Sequence, residues 1–515
     1  VAVVISHPEM RSRGQSLGLI VCAILPLFCS ALPAHPFRST RRFSARNQIF
    51  DFHHERASNL THWIEQRLDH SASGHPVLWK QRYFSNETFF RKGGPVFFCV
   101  GGEGPALSPE VVVTGEEHCA LMMHLAAEHG ALALALEHRY YGESIPTTDL
   151  STANLKYLSS HQALADIAYF HSQMAEIYGL DPGTKWVSFG GSYPGMLASW
   201  TRLKLPQLFH AAVSSSAPVE AIANMQGYND VTGDDFADST VGGSAECLQT
   251  IGEAFDTLGK ELTSSQGRRK LETMFNVCGK YALEDVQNQA LFTQATSDPL
   301  IPQSNDPSCS GKACNIEKQC AILLDPDQGR TPLDRLAALN QIAYNSRCID
   351  CHYADMAQGL TNTTKEGGTD RVWFYQTCTE FAFYQTCDPD SRCPFTTQPH
   401  LNTLQSYYDM CKLAFDIDGE EVEASVVKTN DFYGGVTPAA TRIFYINGQV
   451  DPWHVQSVLR SQPALPAMMV PGASHHFWTH PPQPTDAPEI VAARMKIAAW
   501  VGMVLLEDDG ELVSA

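Results

Sequence analysis

Positive charge is scarce in this chain, where 36 Lys and Arg stand against 56 Asp and Glu for a formal charge of -20. A field of that sign repels phosphate backbones and anionic lipid, which excludes nucleic acid as an expected partner. Long hydrophobic runs are also missing. The apolar run from Leu17 to Phe28 spans 12 residues and contains Pro26, short of the ~20 that a membrane-spanning helix needs. Repeats and low-complexity tracts are absent, which excludes solenoids and propellers. The CxxC from Cys348 to Cys351 lacks a second pair at ribbon spacing, so structural disulfides are expected there instead of zinc or redox chemistry. No metal and no cofactor is called for.

What is present points to a large globular protein. Of 515 residues, 43% are hydrophobic and 18% charged, with 36 Gly and 30 Pro scattered along the chain. That length exceeds a single ordinary core, so two domains, or one domain carrying a large insertion, are expected. Met10 is the expected start. It is followed by Arg11 and Arg13, the apolar run, and small residues Cys29, Ser30 and Ala31, a pattern that predicts a secretory signal peptide over 10–31. Of 15 cysteines, two lie in that segment, and most of the other 13 fall between Cys247 and Cys411. An oxidising compartment would pair them, leaving at least one over. Sequons at Asn59, Asn86 and Asn362 predict glycosylation. The expected location is the secretory pathway, lysosomal or extracellular, and the acidic excess is compatible with an acidic compartment.

From Pro95 onward, short apolar runs alternate with helical patterns. PVFFCV (95–100), ALALALE (131–137), KWVSFG (185–190) and FHAAVSSSA (209–217) read as buried strands, with helices over 116–128 and 158–179 between them. Strands apolar throughout are what a parallel sheet covered on both faces requires. Polar helical stretches rich in Cys then run from about 219 to 429. The strand pattern resumes with TRIFYING (441–448) and PAMMVPG (466–472), ahead of a closing helix over 487–505. The expected organisation is a sheet domain over 60–218 and 430–505, interrupted by a disulfide-rich helical cap over 219–429.

The stretch WVSFGGSYPGMLASW (186–200) takes a buried strand through two glycines and a serine into a helix. A serine at such a corner lies at the carboxyl edge of the sheet, exposed and next to a helix N-terminus. Gly190 precedes Ser192 as in G-x-S-x-G, whereas Pro194 replaces the last glycine and Gly195 follows. The N–H of Tyr193 is one candidate oxyanion donor, and the Gly102-Glu103 loop is a candidate for the second. A serine needs a base held by a carboxylate, and α/β hydrolases present these in the order Ser, Asp, His. TRIFYING leads into Asp451, and PAMMVPG leads into His475 and His476.

Several stretches carry a family resemblance: QRLDH (66–70), GGEGP (101–105), EHRYYGES (137–144), YLSSHQALAD (157–166), FGGSYPGMLASW (189–200), WFYQTCTEF (373–381), YGG (433–435) and INGQVDPWHV (446–455). The chain resembles the S28 serine carboxypeptidase-like peptidases over about 63–500, and within them the thymus-specific branch. The resemblance implies an α/β-hydrolase fold with an inserted, disulfide-rich helical cap, and Ser192, Asp451 and His475 as the triad. It also implies exopeptidase cleavage beside proline, with Tyr193, Met196 and Trp453 lining a proline pocket. Trp373, Phe374, Tyr375 and Glu380 would face the substrate or its terminus. One position departs from the pattern: Trp478 stands where the family has an aspartate three residues after its histidine. His476 is the alternative base.

The expected function is a serine-type peptidase acting on small, proline-containing peptides, without stable membrane insertion after signal removal. A homodimer is left open. The rival readings are an esterase or lipase on the same scaffold, and a degenerate hydrolase serving as a binding protein.

Overall fold

The computed structural model describes residues 60–507 apart from 301–304, 306–308, 366–367 and 396–402. The expected signal peptide over 10–31 and the sequon at Asn59 lie outside the described residues. The sheet strands are β1 (Thr61–Arg67), β2 (Leu78–Asn86), β3 (Val96–Val100), β4 (Leu132–Leu136), β5 (Trp186–Gly191), β6 (Ala211–Ser215), β9 (Ile443–Gly448) and β10 (Ala467–Val470), while β7 (Ile222–Asn224) and β8 (Ala382–Tyr384) lie outside this sheet. The helices that matter for the site are α1 (Glu116–His129), α2 (Ser160–Ile177), α3 (Tyr193–Lys204), α4 (Gln226–Ala237), α5 (Thr369–Gln376), α6 (Gly419–Tyr433) and α7 (Pro488–Leu506).

Eight strands form one sheet in the order β1-β2-β4-β3-β5-β6-β9-β10. β2 runs antiparallel to both β1 and β4, and the remaining neighbours are parallel. Helices cover both faces, which is why β3, β4, β5 and β6 are buried at every position. The two-residue period divides β3 cleanly: Val96, Phe98 and Val100 face one core, and Phe97 and Cys99 face the other. On the first face lie α2, through Leu164, Ile167, Phe170 and Met174, and α3, through Met196, Leu197 and Trp200. The second face is covered by α1, through Met122 and Leu125, and by α7, through Ile490, Ile497 and Val501.

After Ser215 the chain leaves this sheet and rejoins it at Ile443. The excursion is helical, with β7 and β8 pairing as a separate parallel ribbon. We take it as the proposed cap domain; its expected end at 429 falls inside α6, which runs on to Tyr433. Its apolar residues, among them Leu258, Phe381 and Phe415, belong to the same core as Phe98 and Trp186 of the sheet domain. The cap therefore packs on the sheet domain through a continuous core.

Disulfides staple this insertion: Cys247–Cys320, Cys278–Cys348, Cys309–Cys314, Cys378–Cys411 and Cys387–Cys393. Another, Cys99–Cys119, fastens β3 to α1. Cys351 remains free and buried, so the CxxC does not close on itself. The architecture is an α/β-hydrolase fold with a disulfide-rich helical cap.

Two sequons behave differently. Asn362 is exposed. Asn86 is only 8% exposed, and its amide nitrogen donates to the Val112 carbonyl at 2.6 Å. Glycosylation expected at Asn86 does not fit this fold, because the nitrogen that would carry a glycan is buried and engaged.

Candidate active site

Ser192 lies between β5 and α3 with φ 63° and ψ −132°. A non-glycine residue in that region is strained and persists only where its surroundings hold it. Here the Ser192 N–H bonds to the Ser215 carbonyl at 2.9 Å, and the Ser192 carbonyl accepts from Met196 N at 3.0 Å. Close packing explains the small neighbours, since a Cβ on Gly190 would stand 2.2 Å from the Pro194 carbonyl oxygen. Although serine at this position commonly caps a helix, the Ser192 side chain makes no capping bond. Its hydroxyl is left for other use. Tyr193, the first helical residue, has a backbone N–H with no intrahelical partner by helix geometry.

The loops after β9 and β10 are zipped together. Gln449 N bonds to the Val470 carbonyl and Val450 N to the Ala473 carbonyl, both at 3.0 Å. This brings His475 Nδ1 to 2.9 Å from Asp451 Oδ2, although the N–H points off the oxygen and the contact is bent. Asp451 Oδ1 accepts from Trp453 N at 3.1 Å. Asp451 is 0% exposed, Ser192 7% and His475 7%. His475 Nε2 is buried and finds no hydrogen-bond partner among the described residues, so no Ser192–His475 hydrogen bond is formed. Catalytic hydrogen bonds are often long or absent before substrate binds.

His476, the alternative base, is placed differently. Its backbone N–H bonds to Ser216 Oγ at 2.8 Å, and its ring lies against Gly191. Burial, followed by the neighbouring His475, His118 and His480, holds its imidazole well below the ordinary value. The carboxylate partner belongs to His475. Trp478, the departure from the family pattern, is fully buried, and its indole N–H donates to Ser215 Oγ at 2.9 Å while its carbonyl accepts from Arg494 Nε at 2.9 Å. It braces the same strand end that holds the Ser192 N–H.

On the oxyanion side, Gly102 lies against Pro194, where a Cβ would stand 2.3 Å from the proline ring. This packing seats the Gly102-Glu103 loop on the first turn of α3. Burial pushes the Glu103 carboxyl up to about 8, and its Oε2 has no hydrogen-bond partner.

The residues expected to contact substrate divide into two groups. Trp453 is edge-on to Tyr228 and Phe383, at 5.3 and 5.5 Å, and 6.4 Å from the His475 ring. Trp373 lies 5.5 Å from the Tyr193 ring. Trp373 thus lies beside Tyr193 and Trp453 beside His475, and both are 2% exposed. Met196 is one turn along α3 and 1% exposed, so it packs in the core beneath Ser192. Phe374 and Tyr375 point elsewhere, against Phe415 at 6.0 and 5.1 Å.

Glu380 corrects an expectation. Its carboxylate accepts from Ser160 N at 2.9 Å, Ser160 Oγ at 2.6 Å and Gln376 Nε2 at 3.3 Å. It is spent on the N-terminus of α2, where a helix favours negative charge, and is not free for substrate.

Sequence reasoning missed the group that fixes Tyr193. Tyr193 Oη accepts from Gln376 Nε2 at 3.0 Å, and Gln376 Oε1 accepts from Tyr141 Oη at 2.6 Å. His138 Nε2 is also 3.0 Å from Tyr193 Oη. Burial lowers His138 to about 4, so the ring is neutral. Its Nδ1–H donates to the Arg139 carbonyl at 2.7 Å, which leaves Nε2 to accept from the Tyr193 hydroxyl. These residues lie inside EHRYYGES and WFYQTCTEF, and the only available signal was that polar residues recur within otherwise apolar motifs.

A strained serine corner, a buried Asp–His pair on the following strand ends and an α/β-hydrolase sheet define the class as a serine hydrolase. The serine carboxypeptidase S28 family matches residues 66–497, and the chain belongs to that family. It is 36% identical over 449 residues to mouse thymus-specific serine protease, covering 85% of this chain and 86% of that protein. Against human lysosomal Pro-X carboxypeptidase it is 26% identical over 454 residues, covering 84% and 85%. Among solved structures, Mycobacterium smegmatis proline iminopeptidase aligns with a TM-score of 0.35 and 13% identity over 86% of this chain and 98% of that one. The protein is a serine-type peptidase. No helix among the described residues is long and apolar enough to cross a membrane.

Proposed function

We propose that this peptidase hydrolyses small peptides next to proline, as an exopeptidase, with Ser192 as nucleophile, His475 as general base and acid, and Asp451 as the group that orients the imidazole. The observation that carries this reading is the Ser192 corner, whose hydroxyl makes no capping bond, together with Asp451 and His475 brought to 2.9 Å of each other on the loops after the following strands. Ser192 Oγ attacks the scissile carbonyl as His475 Nε2 takes its proton. The oxyanion that forms is received by Tyr193 N–H and the Gly102-Glu103 loop. His475 then returns the proton to the leaving amine, and water completes the second half by the same path. Trp453, Phe383 and Trp373 supply flat apolar walls suited to a proline ring. The cap limits entry to short chains. We place the protein in the secretory pathway, in lysosomes or outside the cell, where its disulfides are stable.

A fluorophosphonate probe tests the nucleophile directly. Folded protein is expected to take up one phosphonyl group, on the peptide containing Ser192, and S192A to take up none. An adduct on another serine, or an unreactive folded protein, contradicts the assignment.

A further inference from the structure

The Gly102-Glu103 loop holds a carboxyl group that the hydrolytic mechanism does not use. Only the backbone of this loop is asked to receive the oxyanion, yet the loop carries a carboxylic side chain into a dry setting. Glu103 Oε2 is buried and has no hydrogen-bond partner among the described residues. No Lys, Arg or His acts on this carboxyl: burial drives its pKa upward, and only its own backbone N–H opposes the shift. The other acidic side chains nearby are accounted for. Glu380 is held by Ser160 and Gln376, and Asp451 lies at ion-pair distance from His475.

The position of Glu103 is fixed by its neighbours. Gly102 is packed on Pro194, two residues after the nucleophile. Gly101, at the start of the same loop, packs on the backbone of the next strand end, where a Cβ would stand 3.0 Å from His138 N, and His138 and Gln376 of the cap both meet the Tyr193 hydroxyl. Glu103 therefore belongs to a loop that lies between the nucleophile corner and residues that reach the cap. An uncompensated carboxyl in such a place is costly to the folded protein and calls for a partner that arrives later. A group with a positive charge and N–H donors satisfies it and, by its charge, favours the ionised carboxylate, whereas a carboxyl that stayed protonated would instead receive a peptide's terminal carboxylate, the alternative that the amidated peptide below tests.

We propose that Glu103 is the subsite that receives the free α-amino group of the substrate, so that the enzyme trims peptides from the amino end. This rests on the peptidase reading above and supplies the direction of cleavage. The ammonium fills the vacancy at Oε2 and loses its water only where the carboxylate replaces it, so peptides with a blocked amino end leave Glu103 buried and unpaired. Glu103 acts here as a specificity-determining residue, separate from the proton transfers at His475.

The test uses one proline-containing peptide in three forms: both ends free, N-acetylated, and C-amidated. In the native protein, acetylation is expected to lower kcat/KM by about 30-fold or more, and amidation to change it by less than about threefold. In E103Q the ratio of free to acetylated kcat/KM should collapse towards one. That ratio separates recognition from damage, because a distorted oxyanion hole slows both peptides alike. Equal cleavage of free and acetylated peptides overturns the inference, as does loss of cleavage on amidation alone or a ratio that survives in E103Q. Cleavage indifferent to the amino end would leave the peptidase reading intact, whereas failure of folded protein to cleave any of the three overturns both.

Discussion

Ser192 is held at φ 63° by hydrogen bonds on either side of it, and the strain at that residue is matched by order in its partners. Asp451 is fully buried with one oxygen on Trp453 N and the other facing His475, so its task is to fix the tautomer and orientation of the ring. D451N keeps the shape but presents an amide to Nδ1. The expected result is a kcat lower by roughly 10⁴-fold with KM little changed, read from initial rates on a proline-containing peptide. A loss below about tenfold would place the orienting carboxylate elsewhere. That Ser192, Asp451 and His475 each follow a sheet strand was legible in the sequence, because those strands are apolar runs and the order along the chain is that of the fold. Glu380 was not. Its partner, Ser160, lies 220 residues away, and an isolated charge in an aromatic segment reads as a substrate contact until the helix that neutralises it is brought alongside. His138 and Gln376 escaped for the same reason: they act by bracing Tyr193 across a tertiary contact that no local pattern encodes.

At the scale of elements, the alternation of strand and helix could be read because parallel strands buried on both faces are apolar throughout, as β3, β4 and β5 are. The pairing of the cap's cysteines could not, since nothing in the spacing tells Cys278 to choose Cys348. The proposed end of the insertion at 429 lies within α6, which the capping box at Asp418 and Glu421 opens and which runs on to Tyr433. Tyr433 then stacks on Trp200 of α3 at 3.6 Å, and its hydroxyl meets Ser160 Oγ at 2.9 Å. The cap is thus seated on α2 and α3 by a stacked pair and by the Glu380 carboxylate. E380A removes three acceptor contacts and leaves the Ser160 N–H without its carboxylate. A loss of about 1–3 kcal/mol is expected by denaturant unfolding, with raised KM as the cap loosens. Unchanged stability would show that the carboxylate does not hold the cap.

For the whole molecule, the sheet domain carries the proposed nucleophile, oxyanion loop, orienting acid and base, and the cap brings Trp373 and Gln376 to Tyr193 and Phe383 to Trp453. One continuous core joins the two. The motifs told the reaction class, a serine-type peptidase. The proposed selection depends on side chains brought together from both parts of the chain, which is why a direction of cleavage could be proposed from Glu103 only with the structure in hand. The central claim is that Ser192 serves a peptidase cutting beside proline. It is tested most directly by digesting a peptide library with the purified protein at acidic and neutral pH, alongside S192A, and reading the products by mass spectrometry. The account expects short fragments released at bonds next to proline, with none from S192A. Fragments that persist in S192A, or products with no proline beside the cleaved bond, would contradict it.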